Sequence, residues 1–341
     1  MTTATAARIT VWGCVSWLVL AAPVSAQTRT LELVGTIPGP ATTVHVHGTI
    51  AYVSSGPTLK LVDISNPADP RRLSSLTLPQ NIYCVRVSGG VAYVAVDFDG
   101  LAILDVSDPG SPTLLSSIEA GGQALSVAVA GTTAVVANRL SGLEVFDVST
   151  PDSPIPRGVY YTEGYAVEVD TAGSFAYVVD RPGGLSIIDL SKPGEPEAVG
   201  TLSTIDRPAT ISVTRQSTEV PGATLAGLMG TDSLLELVDV SDPSAPMAVG
   251  QYRHPERPAT GQTLGSPSLE LEGALAFLAD AVPSPLLQVV DLAAPARPTL
   301  VATYEPPGAP MDLSVSGALV YLAVASRDPS APGVIILRLG D

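Results

Sequence analysis

Carboxylates are the side chains whose number and spacing in this chain could do chemistry. Asp97, Asp99, Asp180, Asp232, Asp280 and Asp328 each stand shortly after an apolar run, at comparable places along the sequence. Such oxygens converging on one point would suit a hard divalent cation such as calcium. The same residues also form turns, because a short carboxylate accepts hydrogen bonds from backbone two residues on. No Asp-x-Asp-x-Asp loop is present, and Asp97-Phe-Asp99-Gly100 is too short to replace one. A second set lies in alternating segments, Val44-His-Val-His47, Val85-Arg-Val-Ser88, Val167-Glu-Val-Asp170 and Leu269-Glu-Leu-Glu272. The alternation puts His45, Arg86, Glu168 and Glu270 at equivalent positions of different strands. There they could hold a small ligand, or keep a water-filled space solvated.

Other chemistries find no constellation. Gly-x-Ser-x-Gly, Cys-x-x-Cys and a phosphate-binding glycine loop are absent, and the 3 histidines single out no catalytic base. His45 and His47 share a strand face, but only His254 could add a third ligand, so no metal site is assigned. Cys84 reads as a small buried apolar residue. No catalytic residue is assigned, and no cofactor is expected apart from the calcium alternative.

The elements that must position these groups come from a repeat. Asp63-Ile-Ser-Asn-Pro-Ala-Asp-Pro70 recurs at Asp105, Asp147, Asp189, Asp239 and Asp291, with spacings of 42, 42, 42, 50 and 52 residues. Val334–Leu339 aligns as a seventh copy, with Arg338 in place of the Asp. Each unit carries four short strand signals, as in Cys84–Val87, Val91–Ala95, Leu101–Val106 and Thr113–Ile118, with Gly89-Gly90 turning the first hairpin. Four-stranded units of this length are the signature of propeller blades. Proline at the start of each fourth strand suits an outer edge, since proline cannot donate to a ladder. The last unit has only three strand signals, and Thr30–Ile37 resembles an orphan fourth strand. The sequence therefore predicts an all-β, seven-bladed β-propeller over residues 27–341, one domain, its ring closed by the N-terminal strand joining the last blade.

Placed on that ring, the loops after the second and fourth strands share the channel-mouth face, and the six aspartates named at the outset fall there. Three units are longer than the repeat. The fifth gains residues around Gln216–Gly222 on the opposite face. The sixth and seventh gain His254–Ser268 and Ser326–Gly333 on the mouth face, and with them Arg257 and Arg327. Insertions are where function is often grafted, and also where surface drift is tolerated. The candidate binding residues are Arg86, Glu168, Glu270, Asp97, Asp180, Asp280, Arg257 and Arg327.

Arg8, the apolar run Ile9–Ala22 and the small-residue end Val24-Ser25-Ala26 have the order of an export signal, cleaved near Gln27. Cys14 leaves with it, so Cys84 has no partner for an intrachain disulfide. With 33 acidic against 17 basic residues, a net charge of −16, nucleic acid is a poor partner. No later stretch is apolar for long enough to span a membrane as a helix.

Leu61-Val-Asp-Ile-Ser, Leu101-Ala-Ile-Leu-Asp-Val-Ser and Leu185-Ser-Ile-Ile-Asp-Leu-Ser, each preceded by an Ala-Tyr-Val segment at Ala51, Ala92 and Ala176, resemble the LVIVD repeat. That resemblance covers essentially residues 30–341. It implies a β-propeller of a mostly bacterial, often cell-surface family without a defined activity, and it carries no catalytic motif to transfer. Arg338 and Ala293 depart from the Asp and Ser positions. The expectation is a monomeric, exported, non-catalytic binding or scaffold protein that meets a protein or glycan at the cell envelope through its mouth loops, chiefly on blades five to seven. A hydrolase or lyase with an acidic channel site, and a purely structural surface protein, are the alternatives.

Overall fold

The computed structural model describes residues 29–204, 207–214, 224–255, 267–281, 284–325 and 331–340. The expected export segment lies outside these, as do Arg257, Arg327 and Asp328. Seven four-stranded antiparallel sheets form the molecule. Six of them run through their strands in chain order, from the channel outward. Blade 1 is Thr43–His47, Ile50–Ser55, Thr58–Asp63 and Arg71–Thr77. Blade 7 is Ala309–Ser316, Leu319–Ala325 and Pro332–Leu339, and Leu31–Pro38 adds its outer strand, with Leu33 opposite Leu337 and Thr36 opposite Ile335.

The repeated turn explains itself in the backbone. In six blades the Asp Oδ1 accepts the N–H two residues on, from Ser65 at 2.8 Å to Ala293 at 2.7 Å. Because the donor is a main-chain N–H, Ala293 keeps the turn that its missing hydroxyl put in question. Where the chain leaves the turn, a bulge such as that between Leu61 and Val62 offsets the outer strand by one residue. The outer strand then meets the next blade's turn closely. Ser74 and Ser116 donate to Pro109 O and Pro151 O at 2.6 and 2.7 Å. At the closing seam Gly35 takes that place, where a Cβ would come within 2.0 Å of Pro67 O.

The core lies between blades rather than inside any one of them. Where blade 7 meets blade 1, Ile37, Val44, Val53, Val62, Tyr321 and Ile336 pack together, each at most 4% exposed. Ile37 belongs to the N-terminal strand, so that strand both completes a ladder and fills a seam. Among the described residues no helix is long and apolar enough to cross a membrane.

Candidate functional site

The innermost strand of each blade has one free edge, turned to the channel. Its N–H groups need acceptors, since unpaired backbone in a narrow space is costly. Each inner strand points alternate side chains at the following blade, and these positions form two tiers around the channel. The tier nearer the mouth holds Thr43, Cys84, Ser126, Glu168, Thr210, Ser268 and Asp312, each opposite a second-strand residue two places on from the deeper tier's partner. The deeper tier holds His45, Arg86, Ala128, Asp170, Ser212, Glu270 and Ser314, opposite the Tyr52, Tyr93, Tyr177, Phe277 and Tyr321 level.

This register corrects one expectation. Glu168 is not equivalent to His45, Arg86 and Glu270; Asp170 is. A two-residue slip preserves facing in a strand of period two, so alternation could not detect it. Buried Thr171 occupies the apolar position in blade 4, and its hydroxyl donates to Val129 O of blade 3 at 3.3 Å.

The tiers are spent on the edges. From the deeper tier, Asp170 accepts the Val213 N–H at 2.9 Å, Ser212 accepts Leu271 N–H at 3.0 Å, Glu270 accepts Val315 N–H at 2.9 Å and Ser314 accepts Val46 N–H at 3.2 Å. From the outer tier, Ser268 accepts Leu313 N–H at 3.2 Å and Asp312 accepts Val44 N–H at 2.9 Å. Ser126 takes the Val169 N–H at 3.4 Å. Every one of these bonds crosses from a blade to the next, so the polar lining of the channel also stitches the ring.

Burial raises three of these side chains. Glu168 is pushed up to about 7 by loss of water, against the pull of Arg86 and the Thr210 hydroxyl. Glu270 is pushed up to about 8, again by burial, against its bond from Val315 and the Arg86 charge. Asp312 is raised for the same reason despite its bond from Val44. The Cys84 thiol is raised too and stays protonated. The three carboxyls line a cavity of about 680 Å³, together with Asp170 and with Arg86, whose charge acts on all four. The arrangement can exchange protons near neutrality and admit small polar molecules.

The mouth-face aspartates do not gather. Asp97 accepts from Gln123 Nε2 at 2.9 Å, and Asp180 accepts Gly164 N–H at 3.1 Å in its own blade. Burial raises Asp180, and its Oδ1 has no hydrogen-bond partner. Asp280 accepts the Ser233 hydroxyl, and Asp232 takes the Arg253 guanidinium. Among the described residues no three His, Cys, Asp or Glu side chains are placed to share a metal ion. His45 lines the channel, whereas His47 is exposed beside the first hairpin.

A different cluster stands on the same face over blades 2 to 4. Tyr83, Phe98, Leu140, Tyr161 and Tyr165 are 40%, 64%, 74%, 76% and 45% exposed. Gln123 bridges Tyr83 to the loops that carry Phe98 and Leu140. Its Nε2 reaches Tyr83 Oη at 3.4 Å as well as Asp97, and its Oε1 accepts from Arg139 at 2.7 Å. The Arg139 guanidinium lies 5.8 Å from the centre of the Tyr165 ring. Arg139 and Asp97 hold positive φ values of 43° and 33°, uncommon for residues with a Cβ. Both loops are braced by the next blade, Arg139 by paired 3.0 Å bonds with Ala166 and Asp97 by the Ala124 N–H at 2.8 Å.

A profile of the LVIVD repeat matches residues 38–77, 83–119, 121–162, 163–204 and 231–254, more than half of the chain. The chain belongs to the LVIVD repeat family. No curated protein matches it. Among solved structures it is similar to the Cps50 (Swd1) β-propeller domain of Myceliophteria thermophila, at 14% identity and a TM-score of 0.70 over 90% of this chain and 99% of that one. It is likewise similar to U3-55K, at 12% identity and 0.69 over 91% and 98%, and to the RRP9 WD40 repeats, at 12% and 0.68 over 92% and 99%. At such identities the likeness is one of fold.

The LVIVD motif itself marks third strands, which are buried, and so says nothing about the exposed cluster. Phe98 and Leu140 did carry a signal: each is a bulky apolar residue in a loop where polar turn formers are expected. Asp170 and Asp312 were also missed. Counting back three residues from the hairpin glycine finds the deeper tier, since Gly48, Gly89, Gly131, Gly173, Gly273 and Gly317 all have φ between 58° and 61°. The tier residue lies three places before each in this LVIVD chain.

Proposed function

We propose that this protein is a non-catalytic binding module that works outside the cytoplasm and captures a protein or glycan on the mouth face of its propeller. The observation that carries this reading is the braced aromatic and aliphatic cluster over blades 2 to 4. Tyrosine and arginine held in place by neighbours are what binding hot spots are made of. Large apolar side chains left exposed on one face of a propeller also need a use. The channel carboxylates argue the same way, because Asp170, Glu270 and Asp312 are engaged by the ring's own backbone. The sequence expectation centred on the loops of blades five to seven; the longest of those loops lies outside the described residues, and the described cluster draws the site to the other half of the face.

Export rests on Arg8, the apolar Ile9–Ala22 run and Val24-Ser25-Ala26. The catalytic alternative has one observation in its favour, Glu168 and Glu270 holding protons to about 7 and about 8, as a general acid must. The test is capture from the organism's own envelope fraction by the full chain and by a Leu140→Ser/Tyr161→Ser variant. Capture by the first and not the second, with unchanged thermal melting of both, is the expected result. Equal capture by both would remove the site.

A further inference from the structure

The cluster over blades 2 to 4 has a rim as well as a centre. Glu119 and Glu163 are exposed and Asp99 is half-buried. Gly100 packs against Ile118 O and Ala120 N, so the loop bearing Asp99 lies against the one bearing Glu119. Gly142 sits beneath Tyr161, where a Cβ would come 3.0 Å from the Tyr161 Cα, and this brings the Leu140 loop under the segment Tyr161–Glu163. Arg139, the cation within the patch, already has its guanidinium on Gln123 and the Tyr165 ring. The patch therefore presents apolar anchors on loops that also carry three carboxylates, with the exposed Arg139 already engaged by Gln123 and the Tyr165 ring.

Resting on the binding reading above, we infer that the partner docks through a basic segment whose aliphatic or aromatic side chains sit among Leu140, Tyr161 and Phe98 while its lysines or arginines face Asp99, Glu119 and Glu163. Two features select a polypeptide over a sugar chain. Leu140 and Phe98 offer flat apolar area with no hydrogen-bonding handle, which suits side-chain burial and gives nothing to hydroxyls. The rim charge is complementary to a cationic chain, and the whole protein, at −16, steers one toward it. The strained, braced loops mean that little ordering is left to do on binding, which favours affinity.

The experiment is a selection from a library of short random peptides on the full chain, followed by titration of the recovered sequences. Basic peptides with one or more apolar residues are expected. Their affinity should fall about thirtyfold in Leu140→Ser or Tyr161→Ser, the size of losing one hot-spot contact. It should fall severalfold in Asp99→Asn/Glu163→Gln, and with added salt. Thermal melts of all variants check the fold, since these side chains are on the surface. Neutral or acidic peptides recovered in a Tyr161-dependent way, or Tyr161-dependent binding of oligosaccharides on a glycan array run in parallel, would overturn the inference and leave the binding site standing. Ligands of any class indifferent to Leu140 and Tyr161 would overturn both.

Discussion

The channel and the blade 2–4 mouth hold two kinds of unusual residue, and they differ in where those residues direct their bonding. In the channel, charged and hydroxyl side chains crowd together, yet Asp170, Ser212, Glu270, Ser314 and Asp312 all end on the backbone of the next blade. At the mouth, a small hydrogen-bond network ends on aromatic rings that face water. Density of polar groups thus marks the seam of the ring, and exposed apolar area beside polar braces marks the proposed binding site. The channel is what a propeller needs to be a ring; the mouth cluster is what this one has in addition.

The sharpest way to break that contrast is to remove an acceptor from the seam. Asp312 accepts from Val44 N–H and from its own Leu313 N–H, both at 2.9 Å, and from the Ser268 hydroxyl at 3.1 Å. Asp312→Ala strands the Val44 N–H and the Ser268 hydroxyl, while Leu313 N–H still reaches Ser268 at 3.2 Å, and should cost about 3 kcal/mol, at 1–3 kcal/mol per stranded group. Asp312→Asn keeps one carbonyl oxygen and should cost roughly half as much. Equilibrium denaturation measures both. A loss within error for Asp312→Ala would mean that the channel side chains are free for a ligand after all.

Proton uptake sharpens the same point. In an unfolded chain a glutamate ionises around 4.5, but in the ring Glu168 holds its proton to about 7 and Glu270 to about 8. Between those limits the folded protein carries more protons than the unfolded one, so these groups make stability fall as pH rises. Their penalty is absent below about 4.5, grows through neutrality and levels off above about 8. Glu270→Gln retains an acceptor for Val315 and cannot ionise. Its stability relative to the natural protein should therefore improve from pH 5 to pH 9, by roughly 4 kcal/mol at about 1.4 kcal/mol per tenfold change in proton affinity and by about 1–2 kcal/mol once channel water screens it. A difference that is flat with pH would place ordinary carboxyls in the channel.

Ser314→Ala comes next, and removes the acceptor of Val46 N–H at 3.2 Å. One neutral cap is worth about 1 kcal/mol. Chemical denaturation should show that loss with no change in partner capture, because blade 7 is across the ring from the mouth cluster.

Almost all of the fold was legible in the sequence because it repeats. An error in reading one blade is exposed by six others, and the Asp-x-Ser-x-Pro turn, the hairpin glycine and the outer-strand proline each have a local physical cause. Even the closing strand could be found, since Leu31–Pro38 lacks three companions that the end of the chain provides. The site was legible only in part. Strand alternation gives facing and not level, so Glu168 was set beside Arg86 although Asp170 is its true equivalent. The mouth cluster, signalled only by the bulky apolar loop residues Phe98 and Leu140, was hard to read for a deeper reason. Tyr83, Phe98, Leu140, Tyr161 and Tyr165 lie in three different blades, and a repeat describes what blades share, whereas this surface is made of what they do not share.

The smallest expected effect on stability belongs to the residues with the largest expected effect on binding. Leu140 and Tyr161 are 74% and 76% exposed, so truncating them gives up little burial within the protein itself. Leu140→Ser/Tyr161→Ser should shift the unfolding free energy by no more than about 0.5 kcal/mol, the ordinary range for surface positions. A drop as large as that of Asp312→Ala would show that these side chains support the loops of blades 3 and 4, and the exposed cluster would then be part of the scaffold. A near-zero shift would separate the two regions cleanly: a channel whose polar groups hold the ring shut, and a mouth whose apolar groups do nothing for the fold and so are available to something outside it.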